Sequence, residues 1–298
     1  VTAMRLGIAL PQYGPLAKMD AVAGFATAAE ELGYASLWVG DRVLAPISPS
    51  DFYPGGTPEQ PYPPEFVTFA DPLILLTVAA SVTKKVRLGT STLTGTVYPA
   101  VLIARALTSL DQVSGGRLDV GLGTGWLRDE YTATGTPWKG RGKQLEELLD
   151  VLREFWTGDP VEHDGERWRI PASKVGLRPV QSPHPPVLLG GLSAAALERV
   201  GRRADGWLPA GLPAPYLAKM WETVTSAAEK AGRDPGALRR VLRINPKPGT
   251  DLKKVAENLD AAAETGVTEA FVDPHYLARD VTRALELAAE LRALVPRN

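Results

Sequence analysis

The chain has 298 residues, 44% of them hydrophobic, and its 33 basic and 34 acidic residues leave a formal net charge of −1. That is enough apolar material for one large core, and the charges are mixed along the chain without a basic stripe, polybasic cluster or charged tail, which argues against nucleic acid and membrane surfaces as partners. The chain has no cysteine, which removes disulfides, thiolate nucleophiles, cysteine-ligated zinc and iron–sulfur clusters together.

Val1–Arg5 runs straight into a strand-like segment, without a charged stretch, an apolar stretch and a cleavage site in succession. No segment approaches roughly 18 uninterrupted apolar residues, so no transmembrane helix is expected and the expected location is the cytoplasm.

Alternation of short apolar runs with helical periodicity then repeats along the chain. The first strand is predicted at Arg5–Leu10. A helix follows, with Val22, Phe25, Ala26, Ala29 and Leu32 on one face and Gly33 at its end, where a left-handed cap costs little. Ser36–Val39 is the second strand. Asp71-Pro72 opens the second helix as N-cap and first-turn proline, and the helix runs to Val82. The third strand (Val86–Thr92), third helix (Pro99–Val113) and fourth strand (Arg117–Gly123) follow. Leu145, Leu148, Leu149, Leu152, Phe155 and Trp156 make the stripe of the fourth helix, which Gly158 stops, and Val161–Ile170 reads as a hairpin around Asp164-Gly165. The alternation resumes with a strand at Val187–Leu189, a helix from Ser193, a strand at Gly206–Leu208 and a helix over Pro215–Ala231. Arg240–Ile244 and Leu252–Thr265, then Glu269–Val272 and Leu277–Leu294, complete the last two strand–helix units.

Eight strands alternating with eight helices imply an α/β fold with a parallel sheet covered by helices, and within this length a closed (β/α)8 TIM barrel spanning residues 1–298 as one domain. The alternative is an open doubly wound sheet. Two segments exceed what closure needs. One is the proline-, glycine- and aromatic-rich loop Val43–Ala70 after the second strand, which reads as a lid or binding loop or as a disordered insertion. The other is the insertion between the fourth and fifth strands that carries the hairpin.

Barrel enzymes place their chemistry just after the strands. After the second strand, Asp41 and Arg42 leave an apolar stretch together, as an internal salt bridge or as a pair facing a polar ligand. The third strand runs into Thr90-Ser-Thr92, whose small hydroxyl residues suit either a planar ring close to the backbone or simple strand propensity. The fourth ends in Gly121-Leu-Gly-Thr-Gly-Trp126; Trp126 stands where a dinucleotide fingerprint needs its third glycine, so that motif is excluded. Gly190 and Gly191 precede a helix that Ser193 caps, which makes an anion site for a phosphate or a plain tight turn. His275 follows the eighth strand at a position open to the barrel mouth, or caps the helix after it. His163 and His184 fall in surface contexts, and no histidine cluster suggests a catalytic metal. So little titratable machinery fits chemistry carried by a cofactor.

These residues resemble the bacterial luciferase-like superfamily of flavin and deazaflavin barrels over nearly the whole chain. The carriers are Ser36-Leu-Trp-Val-Gly-Asp41, Val86-Arg-Leu-Gly-Thr-Ser91, Leu110-Asp-Gln-Val-Ser-Gly-Gly-Arg117, Gly121-Leu-Gly-Thr-Gly-Trp126, Pro186-Val-Leu-Leu-Gly-Gly191 and Ala204-Asp-Gly-Trp-Leu208. The short chain and the Gly-Trp-Leu-Arg-Asp-Glu130 run are most similar to the branch dependent on coenzyme F420. The resemblance implies that Asp41 lies near the deazaflavin ring and that Ser91-Thr92 forms the family's non-proline cis peptide behind it. It implies that Thr124, Gly125, Trp126 and Asp129 contact the cofactor and that Gly190 and Gly191 hold its phosphate. Arg42 stands where sugar-phosphate dehydrogenases of the family carry a histidine, and Trp126 where they carry a glutamate, so a glucose-6-phosphate-type oxidation is not expected.

The expected activity is hydride transfer between F420 and a small organic substrate under the 43–70 loop. Asp41 and Arg42 are the catalytic candidates, and Tyr62, Trp126 and His275 the substrate-binding ones. The rivals are an FMN-dependent monooxygenase and a non-catalytic flavin-binding protein. A homodimer is the expected assembly.

Overall fold

Residues 4–295 are described in the structure, a computed structural model. Its strands are β1 (Arg5–Ala9), β2 (Ser36–Val39), β3 (Arg87–Thr90), β4 (Leu93–Thr94), β5 (Leu118–Gly123), β6 (Val161–Asp164), β7 (Arg169–Ser173), β8 (Val187–Gly190), β9 (Gly206–Leu208), β10 (Arg239–Ile244) and β11 (Glu269–Val272). Its α-helices are α1 (Val22–Glu31), α2 (Pro72–Val82), α3 (Ala100–Ser114), α4 (Arg128–Ala133), α5 (Arg141–Thr157), α6 (Ala194–Arg203), α7 (Ala214–Lys230), α8 (Leu252–Glu264) and α9 (Val281–Leu294).

Parallel pairing runs β1–β2–β3–β5–β8–β9–β10–β11 and returns to β1, which closes an eight-stranded barrel. Leu88 opposite Leu118 and Ile8 opposite Val272 set the register at two of its seams. The open-sheet alternative is thereby excluded, and helices surround the barrel as the alternation predicts.

Local chemistry sets the helix ends. The Asp71 carboxylate accepts the Leu73 and Ile74 N–H groups at 2.9 and 3.0 Å, satisfying two of the donors that a helix start leaves free. α3 ends at Gly115 with φ +66°, where a side chain would be strained. The predicted stripe of α5 is buried along its length and meets the barrel side of the helix layer. Inside the barrel, Trp38 stacks on Phe271 with centroids 4.7 Å apart, and a Cβ at Gly89 would collide with the Trp38 indole. The glycine of β3 is thus what admits an indole into the barrel. At the opposite end from the strand C-termini, Asp119 binds Arg87 and Arg239, and Arg239 also binds Glu269.

Three expectations change. The third strand stops at Thr90 because the Ser91–Thr92 peptide is cis, and the chain resumes as β4, which pairs with β5. The last helix starts at Val281 rather than Leu277, after a short turn at Pro274–Tyr276, because Asp280 is the residue whose side chain caps it. A short helix, α4, follows β5 in a segment that carries too few apolar residues to show a stripe.

The long loop after β2 packs over the barrel mouth. Within it Tyr53 N–H donates to the Pro61 carbonyl and Tyr62 Oη to the Pro46 carbonyl. Ser50 ties it to Asp129, and the Tyr53 ring sits edge-on to Phe66 and Trp126. Among the described residues no helix is long and apolar enough to cross a membrane.

Candidate active site

Two adjoining cavities open at the C-terminal ends of the strands. The larger, about 520 Å³, is lined by Ser91, Thr92, Gly190, Gly191, Leu208 and Arg243 among others. The smaller, about 130 Å³, lies between Tyr13, Asp41, Arg42, Trp126, Glu130 and Arg243. They share Tyr53, Ser91, Thr92 and Arg243, so they form one site with a wide and a narrow part.

The shelf between them is the segment after β3. Ser91 N–H donates to the Val39 carbonyl, and the Ser91 carbonyl accepts from Arg243 Nη1 at 2.6 Å. The Thr92 side chain lies against the α-carbons of Gly123 and Gly190, where a Cβ would crowd it. Gly191, with φ +126°, leads into α6, and Ser193 accepts the Ala196 N–H as its cap.

Asp41 sits where β2 ends. Its carboxylate accepts the Thr94 N–H at 2.9 Å and the Tyr98 hydroxyl at 3.0 Å. Burial outweighs these hydrogen bonds and raises its pKa to about 6, with the Glu130 charge adding to the rise. The Arg42 guanidinium pairs with Glu130, whose carboxylate also accepts the Val43 N–H at 3.0 Å. Both side chains are almost wholly buried, and the guanidinium lies 4.7 Å from the Trp126 ring centre. Of the two readings of the Asp41-Arg42 pair, Arg42 resolves as an internal salt bridge, but with Glu130.

Arg243 braces the other wall. Besides Ser91 it donates to Asp273 Oδ2 at 2.6 Å and to Asn245 Oδ1 at 2.9 Å. Burial would push the Asp273 carboxyl up, but His275 and Arg243 hold it well below the usual carboxylate range.

Of the residues singled out in the sequence, Asp41, Arg42, Ser91, Thr92, Gly125, Trp126, Gly190 and Gly191 come together on these walls. Four do not. Thr124 turns its carbonyl to the Tyr131 hydroxyl. Asp129 binds Ser50 on the rim. Tyr62 lines an adjoining groove under the long loop, which shares Tyr53, Lys247 and Tyr276 with the wide cavity. His275, expected at an open position, is 3% exposed, bound to Asp273 and enclosed by Tyr13, Phe66 and Tyr276. His163, expected at the surface, instead joins the hairpin to α5 through Glu154 at 2.8 Å. Among the described residues no cluster of three or more metal-ligating side chains occurs.

Sequence reasoning passed over Tyr13, Tyr53, Tyr98, Glu130, Arg243 and Asp273. Arg243 carried a signal, a charge inside an otherwise apolar strand end. The others join the site only through the packing of loops distant in sequence.

The family model for luciferase-like monooxygenases matches residues 4–293. An uncharacterized protein of Mycobacterium tuberculosis is 32% identical over 282 residues, covering 92% of this chain and 94% of that protein. An F420-dependent glucose-6-phosphate dehydrogenase of Amycolatopsis mediterranei is 30% identical over 254 residues, covering 83% of this chain and 69% of the relative. The monooxygenase RslO1 of Streptomyces bottropensis superposes with a TM-score of 0.77 at 20% identity, covering 98% of this chain and 97% of that one, a likeness of fold. With a match spanning nearly all of its length, the chain belongs to the luciferase-like monooxygenase family, flavin- and F420-associated oxidoreductases built on this barrel.

Proposed function

We propose that this protein is an F420-dependent oxidoreductase that transfers a hydride between the deazaflavin and a small organic substrate. The observation that carries the reading is the wide cavity with the Ser91-Thr92 shelf on one side and Gly190-Gly191 before the α6 N-terminus on the other. A planar ring fits against the Ser91-Thr92 shelf, whose Thr92 side chain is seated over Gly123 and Gly190, and a phosphate fits free N–H groups at a helix start. The site therefore suits a ring with a phosphate-bearing tail, and the bound deazaflavin would supply the hydride.

The residues of the chain would do the rest. Gly190, Gly191 and the start of α6 hold the phosphate. Asp41, with its raised pKa, holds or releases a proton near neutrality. Tyr53 and Trp126, edge to face at 5.4 Å, close the narrow part against water. Similarity to an F420-dependent dehydrogenase supports this cofactor. Arg42 is committed to Glu130, which leaves it to position the wall rather than to move protons. A cytoplasmic homodimer is part of the same reading: Ile74 on α2 and Val101 and Leu102 on α3 are exposed apolar side chains on neighbouring helices.

The second reading, an FMN-dependent monooxygenase, draws on the family model and on the fold shared with a monooxygenase. Absorbance titration separates the two. Saturable binding of F420 with a shifted spectrum is expected, and tight FMN binding without affinity for F420 would reject the first reading in favour of the second.

A further inference from the structure

Tyr13, four residues beyond β1, is 4% exposed. Its ring is held between Phe66 at 5.2 Å and His275 at 5.3 Å. The hydroxyl rests on the α-carbon of Gly40, where a Cβ would collide with it, and the residue lines the narrow cavity with Asp41, Arg42 and Arg243. The other tyrosines buried as deeply have partners: Tyr34 donates to the Ala288 carbonyl and Tyr131 to the Thr124 carbonyl. Tyr13 Oη has no hydrogen-bond partner among the described residues. The hydroxyl opens on the narrow cavity, so its acceptor is water or whatever group occupies that cavity. Burial also pushes its pKa far up, so it stays a neutral donor at any working pH.

The charges around it define what that acceptor is. Arg42 is matched by Glu130 and Arg243 by Asp273, and Asp41 adds a further carboxylate on the same wall. Among the described residues that line the narrow cavity no cation is left without a carboxylate, so an anionic head group there would be desolvated beside Asp41 and Glu130 at a net cost. An uncharged oxygen acceptor meets no such penalty.

We propose that Tyr13 donates a hydrogen bond to the carbonyl oxygen of an uncharged, conjugated carbonyl substrate seated in the narrow cavity. This rests on the reading that the wide cavity holds a hydride donor. When a hydride adds to the β-carbon of a C=C–C=O unit, the C=C π pair shifts toward the carbonyl and negative charge grows on its oxygen. A proton from water then completes the new C–H bond at the α-carbon, so the substrate gains two electrons and the reduced deazaflavin loses two. A donor placed on that oxygen is stronger as the charge develops than before it.

The test uses the full chain, wild type and Tyr13→Phe, with cyclohex-2-en-1-one carrying ¹³C at the carbonyl. Infrared difference spectra are expected to show the bound carbonyl stretch at lower frequency in wild type than in Y13F, and the probe Kd is expected to rise about tenfold in Y13F, the loss of one hydrogen bond. Cyclohex-1-ene-1-carboxylate is expected to bind wild type more weakly than the ketone. Equal carbonyl frequencies and equal Kd in the two proteins, no saturable binding of the ketone, or tighter binding of the carboxylate would overturn the assignment. F420 titration run on both proteins keeps the two proposals apart. Failure of F420 to bind wild type counts against the redox reading, while the infrared comparison still judges Tyr13. An unchanged thermal midpoint and near-ultraviolet circular dichroism in Y13F exclude a folding defect.

Discussion

Arg243 donates a hydrogen bond to the Ser91 carbonyl at 2.6 Å, so the seventh barrel strand, β10, props the shelf that follows the third, β3. Three nitrogens of one guanidinium hold Ser91, Asp273 and Asn245 at once. Lysine keeps the charge for Asp273 but cannot fork to the others. Arg243→Lys is expected to weaken F420 binding by about tenfold, read by absorbance titration, while thermal unfolding stays cooperative. Unchanged affinity would show that the shelf holds its shape without this bond.

The Arg42–Glu130 pair is buried in the wall of the narrow cavity. Glu130→Ala leaves a guanidinium unpaired there, and removal of one partner of a buried pair costs about 3–5 kcal/mol. Urea unfolding is expected to show a loss of that order, and the double variant Arg42→Met/Glu130→Leu is expected to recover much of it. A single-variant loss under about 1 kcal/mol would mean that water reaches Arg42 and solvates it.

Asp41 is raised from the ordinary value of 3.8 to about 6. An elevated carboxyl pKa means that the folded chain holds its proton more tightly than the unfolded one. The contribution of Asp41 to stability is therefore largest below pH 3.8, declines as pH rises through the window up to about 6, and is constant above it. Asp41→Asn removes this titration. Stability measured by chemical denaturation from pH 4 to 8 is expected to fall less steeply with rising pH in the variant between roughly pH 4 and 6. Parallel curves would contradict the shift.

Asp119 behaves in the opposite sense. Burial alone would raise its pKa, but bidentate hydrogen bonds from Arg87 and Arg239 lower it. Its stabilisation is present above the unfolded-state pKa and is lost as pH falls through the folded one. Asp119→Asn is expected to cost about 3–5 kcal/mol at pH 7, since two arginines lose their shared charge partner. The gap between variant and wild type is expected to narrow in acid, and a gap that stays constant to pH 3 would refute the pairing as its cause.

Ile74 is 63% exposed on α2, and Leu102 is 47% exposed on α3, which packs against α2. If this apolar face joins two copies, Ile74→Lys places a charge in the interface. Light scattering is expected to give twice the chain mass for wild type and a shift toward the monomer for the variant; a monomeric wild type would dispose of the dimer.

The barrel was legible because strand and helix periodicities are local. The apolar stripe of α5, the Asp71-Pro72 start of α2 and the Gly206–Leu208 strand each depend on residues a few positions apart, and the structure reproduces them. Gly190 and Gly191, which line the wide cavity, stood out for the same reason, being glycines before a capped helix. The departure at Ser91-Thr92 from a continuous strand was signalled by family likeness, since serine and threonine have no local reason to interrupt β3.

Sequence alone determined the alternation of elements and the strand ends at which the two cavities open, because those follow from the side-chain period and from turn residues. Tertiary structure decided which charges are spent and which donors are free. Glu130 stands 88 positions from Arg42, and Ser91 stands 152 from Arg243; no spacing rule foretells such partners. Pairing made Arg42 part of a wall, burial took His275 out of the mouth, and the packing of Phe66 and His275 turned Tyr13 inward. The physical reason is that desolvation and hydrogen bonding act between whatever groups the closed barrel brings within a few ångströms, irrespective of their distance along the chain.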